Sequence, residues 1–527
     1  DLKIAGSDTS HSVTINEDSA LDLKSLLSAS FNDTDGSEQR SIVLGNLPAG
    51  TLVNGVAVGV SGTVALPLAG GNTLPSITIT PPPNSSGDIN GITVTLRAQD
   101  TDGDSTHTPA VVTDTVTLDL HVNPVAGDIG VSGVTTAEDT GTKFLANLAV
   151  TDTDGSEAIT AITVNDLPAG WVIRDAGGNI VHTGDGGTDF TVSAAEVANG
   201  NYLNYTLAPA GHSSADIQVS VSVQTTDTQT VNGSPVTSVV TTGLFVPVTV
   251  TPAAETVGTD SNGDGTADLS MNGDFTYATP AAEDTWFALS TDGFDFKTPW
   301  VNQDADGSEQ TFALLTPVLN GGATSADGSR FTYFDGTTTH TLTYTGTPVE
   351  IPVAYLDTVQ FRAPENVSGS FEIQVQAKTV DTDPDTGAVS TAVSGSASLD
   401  NLIVLPVADQ VTLSVSSPAT GSEDNAIPLS IRPTSSDPSE TFNVTISGIP
   451  GGSTLFYNGI TQPVSGGSVT IEQFDRSLPL SILPPANSNS DFTLQVSAVS
   501  VDTLGGYTST SIAATLPISV DVRGVAD

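Results

Sequence analysis

An acidic phrase recurs along this chain in a form that suits coordination of a hard cation. It reads Asp33-Thr34-Asp35-Gly36-Ser37-Glu38, then Asp152-Thr153-Asp154-Gly155-Ser156-Glu157, then Asp304-Ala305-Asp306-Gly307-Ser308-Glu309, and in an altered fourth copy Ser435-Ser436-Asp437-Pro438-Ser439-Glu440. An acidic pair precedes each copy: Glu17-Asp18, Glu138-Asp139, Glu283-Asp284 and Glu423-Asp424. Carboxylates that repel one another return at matched spacing, so a shared counter-ion accounts for the pattern, and a set of oxygen ligands selects calcium. Within a copy, Asp33 and Asp35 reach the same side of a loop, Gly36 permits a sharp bend and Glu38 returns a further carboxylate. The junction residues Asp128 and Asp409 stand just ahead of an acidic pair, so both sets can converge where units meet. Solvated carboxylates in Asx turns are the competing reading. Pro438 and a missing Asp predict that the site of the fourth copy is the weakest or is lost.

A second acidic set follows later in each unit: Asp100, Asp102 and Asp104; Asp227 alone; Asp381, Asp383 and Asp385; Asp502 alone. An extra ion is expected in units one and three, with an exposed acidic hairpin tip as the alternative. The sharpest single motif is Asp260-Ser261-Asn262-Gly263-Asp264-Gly265-Thr266-Ala267-Asp268. Asp260, Asn262, Asp264 and Asp268 with the carbonyl of Thr266 match positions 1, 3, 5, 9 and 7 of an EF-hand loop, and Gly265 occupies the turn position. Met271 stands at position 12, so another carboxylate must complete the shell. The loop opens an aromatic-rich insertion holding Trp286 and Trp300 with Phe287, Phe331, Tyr333 and Phe334. Rings beside calcium can bind sugars, whereas filling a larger core is the simpler use for them, as for Trp171.

These carboxylates need a scaffold, and alternation supplies it. Ile92-Thr93-Val94-Thr95-Leu96, Ile217-Gln218-Val219-Ser220-Val221, Phe371-Glu372-Ile373-Gln374-Val375 and Phe492-Thr493-Leu494-Gln495-Val496 each present one apolar and one polar face. Turn signals bracket them, from Leu47-Pro48-Ala49-Gly50 to Pro485-Ala486-Asn487-Ser488. Helical periodicity is confined to Ala194–Ala198 and Leu23–Leu27. The acidic pairs repeat at intervals of about 120 to 145 residues, the size of a whole domain. The reading is all-β: four tandem antiparallel sandwiches over 1–125, 126–252, 253–407 and 408–527.

Composition narrows the function. With 13 Lys+Arg against 60 Asp+Glu the formal charge is -47, which excludes nucleic acid as a natural partner and calls for bound cations. The 37% of hydrophobic residues in alternating runs suffices for packed cores. Without any cysteine, stability must come from packing and ions. No apolar run is long enough to cross a bilayer as a helix. The opening lacks a signal peptide and the ends resemble internal junctions, so the chain reads as a segment of something longer.

The order of Glu-Asp pair, Asp-x-Asp-Gly-Ser-Glu, Leu-Pro-Ala-Gly turn, Pro-Ala-Asn-Ser turn and Pro-Val-Ala-Asp junction resembles the cadherin-like and immunoglobulin-like repeats of large bacterial surface adhesins. These include the RTX type exported by a type I system, although the glycine-rich nonapeptides of that type are missing here. The 260–268 loop looks like those of dockerin or thrombospondin type-3 repeats. The resemblance implies calcium-rigidified extender domains at the bacterial cell surface that hold an adhesive tip for cell adhesion and biofilm formation. It implies a monomer whose partners are neighbouring repeats. A carbohydrate-binding module centred on the third-unit insertion is the second reading. A glycoside-acting enzyme ranks below it: the six His are scattered, no His-Glu-x-x-His or Gly-x-Ser-x-Gly occurs, and a catalytic pair has no reason to be copied in every repeat.

Overall fold

A computed structural model describes the chain apart from residues 33–35, 69–72, 102–109, 153, 258–279, 290–306, 322–324 and 527. The fold is all-β, with one five-residue α-helix at Ala194–Ala198 among the described residues. Ser193 caps that helix, its Oγ accepting from Glu196 N at 3.3 Å. The second expected helix is a single 3-10 turn, Leu23–Ser25, because the chain resumes extended structure at Leu27–Ala29. The chain divides into two compact units, one of Asp1–Ala253 with Asp304–Ser308 and Thr382–Val389, the other of Ala254–Gln303, Glu309–Asp381 and Ser390–Asp527.

In the first unit, a five-stranded sheet runs in the order Ser10–Asn16, Val111–Asn123, Gly87–Asp100, Glu38–Gly45, Val64–Pro67. Its first pair is parallel and the others antiparallel. Strands Leu21–Asp22, Thr78–Thr80, Leu52–Val53 and Val56–Ala57 form a second sheet. Ile42, Leu96 and Leu118 of one sheet and Val53 and Ile79 of the other share one buried cluster, the arrangement of a sandwich. The plan recurs with Val134–Ala137, Ser234–Thr251, Ile217–Val231, Glu157–Asn165 and Phe190–Thr191 around Trp171, Ile162 and Val221.

The second unit repeats the plan twice. Ala281–Ala282, Ala397–Leu405, Gly369–Thr382, Glu309–Asn320 and Val349–Pro352 enclose one cluster, and Ala419–Ser422, Ala514–Arg523, Phe492–Leu504, Thr441–Ser447 and Ser468–Ile471 another. Each of the four clusters draws on one stretch of chain: Leu2–Val122, Ile129–Val250, Val257–Val404 and Val411–Val522. Phe331, Phe361 and Phe371 are fully buried in the third, with Phe331 and Phe361 centroids 5.1 Å apart. Of the rings named in the insertion, Phe331 is core and Phe287 and Tyr333 pack against it, while Phe334 is 44% exposed.

The recurring parallel pair positions the chemistry. Each short first strand ends at its acidic pair, and the Glu N–H closes the ladder: Glu17 on Asn123 O at 3.0 Å, Glu138 on Thr251 O at 3.1 Å, Glu283 on Leu405 O at 2.9 Å and Glu423 on Arg523 O at 2.9 Å. The Asp that follows turns left-handed, with φ of 54° at Asp18, 56° at Asp139, 61° at Asp284 and 56° at Asp424.

Candidate metal centres

Each pair divides its labour between its two carboxylates. The Asp carboxylate pins the later Pro/Asn/Ser turn: Oδ1 accepts from Asn84 N at 3.0 Å for Asp18, His212 N at 3.0 Å for Asp139, Asn366 N at 3.3 Å for Asp284 and Asn487 N at 2.9 Å for Asp424. Asp139 also meets the His212 ring at 3.2 Å, and Asp284 meets Arg362 Nη2 at 3.0 Å. The Glu carboxylate instead receives the junction backbone. Glu17 Oε1 accepts from Val125 N, Glu138 from Ala253 N at 2.5 Å, Glu283 from Val407 N at 2.5 Å and Glu423 from Val525 N at 2.8 Å.

Two residues further along each junction, the Glu of the acidic phrase does the same. Glu157 Oε1 accepts from Gly127 N at 2.6 Å, Glu309 from Glu255 N at 2.9 Å and Glu440 from Asp409 N. Hydroxyls fasten the backbone between and beyond: Ser238 and Ser509 accept from Ala126 and Ala408 N, while Thr225 and Ser500 donate to Gly127 and Asp409 O.

In Glu17, Glu157, Glu283 and Glu440 this clamp uses one oxygen and leaves the other buried. In the first unit, single oxygens of Glu17, Asp152 and Asp227 lie within 4.8 Å of one another, and all three residues are buried. In the second unit Glu283, Asp437 and Asp502 do the same. Glu17 Oε2, both oxygens of Asp227, Glu283 Oε2 and Asp502 Oδ2 have no hydrogen-bond partner and no solvent. Orphaned buried carboxylate oxygens cost several kcal/mol unless a proton or cation meets them. Burial first, then the charges of Asp227 and Asp152, pushes Glu17 up to about 7; burial, then Asp502 and Asp437, pushes Glu283 up to about 8. Burial likewise raises Glu157 and Glu440. A cation about 2.4 Å from each oxygen spans at most about 4.8 Å between any two, so one ion fits either cluster. Both clusters can hold a metal ion.

In sequence Asp227 and Asp502 stand isolated within the later acidic set, yet in the fold they complete the two clusters. Asp227 pairs in register with Glu157, as Asp381 does with Glu309. Asp437 shows what the altered fourth copy retains. Thr151 O and Ser436 O each accept from an Asn side chain, Asn84 and Asn366, and the next residue, Asp152 or Asp437, accepts on Oδ1 the N–H two positions on. Asp437 therefore stands where Asp152 does, in a loop two residues shorter before its Glu. The expected loss of this site does not follow from its geometry.

Other expected ligands have local duties. Asp154 accepts from Ser86 N at 3.1 Å and Ser156 N at 2.7 Å, hydrogen bonds that lower its carboxyl against the opposing effect of burial. Asp383 closes its own turn, with Oδ1 accepting from Asp385 N at 2.8 Å and Thr386 N at 3.1 Å. Asp128 Oδ1 accepts from Thr242 at 3.3 Å, and Asp409 Oδ2 from Ser436. Trp286 is 36% exposed and neighbours Phe287, which packs edge-on to Phe361 at 5.3 Å. Asp33, Asp35, Asp102, Asp104, Asp304, Asp306, Trp300 and the whole loop of Asp260, Asn262, Asp264, Thr266 and Asp268 lie outside the described residues.

The first copy departs from the rest. Glu38 pairs in register with Asp100, as Glu157 and Glu309 do with Asp227 and Asp381, but Arg40 stands two residues on, where the other copies carry Ile159, Thr311 and Phe442. Its Nη2 meets Glu38 Oε2 at 2.8 Å, with its guanidinium 4.7 Å from the Phe31 ring centroid. A built-in cation thus neutralises this Glu. No family model matches the chain, and no curated protein matches it.

Proposed function

We propose that the chain is a calcium-rigidified extender segment of a bacterial cell-surface adhesin, built of four immunoglobulin-like or cadherin-like sandwiches and serving cell adhesion and biofilm formation outside the cell. The observation that carries the calcium part is the pair of buried carboxylate triads, each with oxygens left without a partner. In each triad the Glu follows the short first strand of one sandwich, while the two Asp come from the next. An ion there ties consecutive sandwiches together at the clamp already made by the junction backbone. All-oxygen, carboxylate-rich ligand sets favour calcium over softer metals. At a thousandfold excess over its dissociation constant, such an ion stabilises the native state by roughly 4 kcal/mol. The surface-display part rests on the resemblance of repeat order and on the acidic, cysteine-free composition.

Titration calorimetry of the full chain with calcium tests this reading. At least two ions are expected, with Asp227→Asn and Asp502→Asn each abolishing one. Absence of uptake at millimolar calcium overturns it. A sugar site on the third repeat is the second reading; the partial exposure of Trp286 supports it, while the buried phenylalanines do not.

A further inference from the structure

The joint between the first two sandwiches has a second point of contact that uses no metal ligand. Ile217–Val231 and Ser234–Thr251 pair over their whole shared length into a hairpin much longer than the core beneath it requires. Its turn is Asn232-Gly233, with φ of 48° and 74°, the left-handed pair of a type I′ turn. Such a turn leaves the N–H of its first central residue outside the ladder. Asp88 of the first sandwich takes that N–H, at 3.0 and 3.1 Å on its two oxygens. Asp88 is itself held 2.7 Å from Nδ1 of the buried His121, its register partner on Val111–Asn123. Beside it the Gly87 backbone lies so close to Gln229 that an added Cβ would touch that side chain at 3.6 Å. Val231, at the tip and outside the hydrophobic cluster of its own sandwich, is only 4% exposed.

From these contacts we infer that the 229–234 tip is a latch on Asp88 and Gly87 that orients the second sandwich on the first without metal. The joint is then a two-point clamp, with the carboxylate triad at one point and the hairpin tip at the other. A single point permits swivelling about it, whereas two points fix an angle. The relation has a parallel within the same unit, where Asp385 Oδ2, in another hairpin turn, accepts from Asp216 N at 2.8 Å.

Pulsed electron spin resonance on the full chain tests the latch in excess chelator, where the triad carries no ion. The cysteine-free sequence takes spin labels at Val60→Cys and Ile180→Cys, which are 99% and 56% exposed. Two variants act on the latch, one weakening it and one removing it. Asp88→Asn weakens the acceptor, and deletion of the paired residues Thr230/Pro235 and Val231/Ser234 shortens the hairpin by two rungs without changing which side chains face inward. Circular dichroism verifies that the strands of both variants remain folded. In chelator the parent should give one narrow distance distribution and the variants distributions at least twice as wide. A parent as broad as the variants in chelator, or folded variants as narrow as the parent, overturns the latch, whatever the fate of the calcium reading.

Discussion

Asp227 shows how much hangs on a single carboxylate whose partners are other carboxylates. Without metal it raises the energy of Glu17, so Asp227→Asn should leave the melting temperature of the chelated chain unchanged or raise it. In calcium the same variant should melt below the parent, because the ion's stabilisation is lost. A sign reversal between the two conditions, read by calorimetric melting, distinguishes a ligand from a merely structural Asp. The pH dependence follows from the raised carboxyls. The ordinary value of 4.5 lies below Glu17 at about 7 and Glu283 at about 8. Their protonated forms therefore stabilise the chelated fold fully below about pH 4.5, and this contribution fades as pH rises through 7 to 8. Calcium requires the ionised forms, so the calcium-induced rise in melting temperature should be larger at pH 8.5 than at pH 5.5. Arg40 behaves oppositely: Arg40→Ala takes the guanidinium from the partly buried Glu38 and should cost roughly 3 kcal/mol in calcium and chelator alike. Asp227 was legible in the sequence through phase. It lies in step with Val219, Val221 and Val223, the inward positions of its strand, as Asp502 does with Leu494 and Val496. An Asp on the apolar beat of a strand announces a buried charge, a stronger signal than its isolation from other acids.

At the scale of elements, the strands were readable because alternation and turn chemistry agree. The burial of Gly369–Thr382 alternates along almost its whole length, as the pattern of Phe371, Ile373 and Val375 demands. The short parallel first strands were not readable, since a few residues carry no period, and parallel pairing depends on a distant strand. Register hid the roles of the acidic pair for the same reason: only the folded turn brings Asn84 N to Asp18. That tie can be tested by substitution. Asp18→Ala loses a charge-assisted hydrogen bond and leaves a Cβ-bearing residue without polar compensation in the left-handed backbone of this turn. The cost should be roughly 2 kcal/mol in the melt of the first sandwich. Asp18→Gly relieves the backbone part and should recover about half of the loss. The altered fourth loop hid its correspondence for a different reason. Aligning it on its final Glu440 matches Asp437 to Asp154, whereas hydrogen bonding matches it to Asp152, and a two-residue shortening is invisible without the fold.

For the molecule as a whole, a formal charge of -47 sets the energetic problem that bound cations would relieve. An ion added to a buried triad would remove local repulsion and also join carboxylates from consecutive sandwiches, so metal affinity and joint stiffness would become one quantity. Calcium should therefore act chiefly on the joints, while the sandwich cores, made of apolar side chains, keep their strands without it. Small-angle scattering of the full chain in millimolar calcium and then in excess chelator tests this most directly, with circular dichroism on the same samples. The predicted result is a narrow distance distribution in calcium that broadens on chelation while strand content stays constant. A profile identical in the two conditions, with the calcium sites demonstrably filled in one and emptied in the other, would contradict the claim that these ions stiffen the joints.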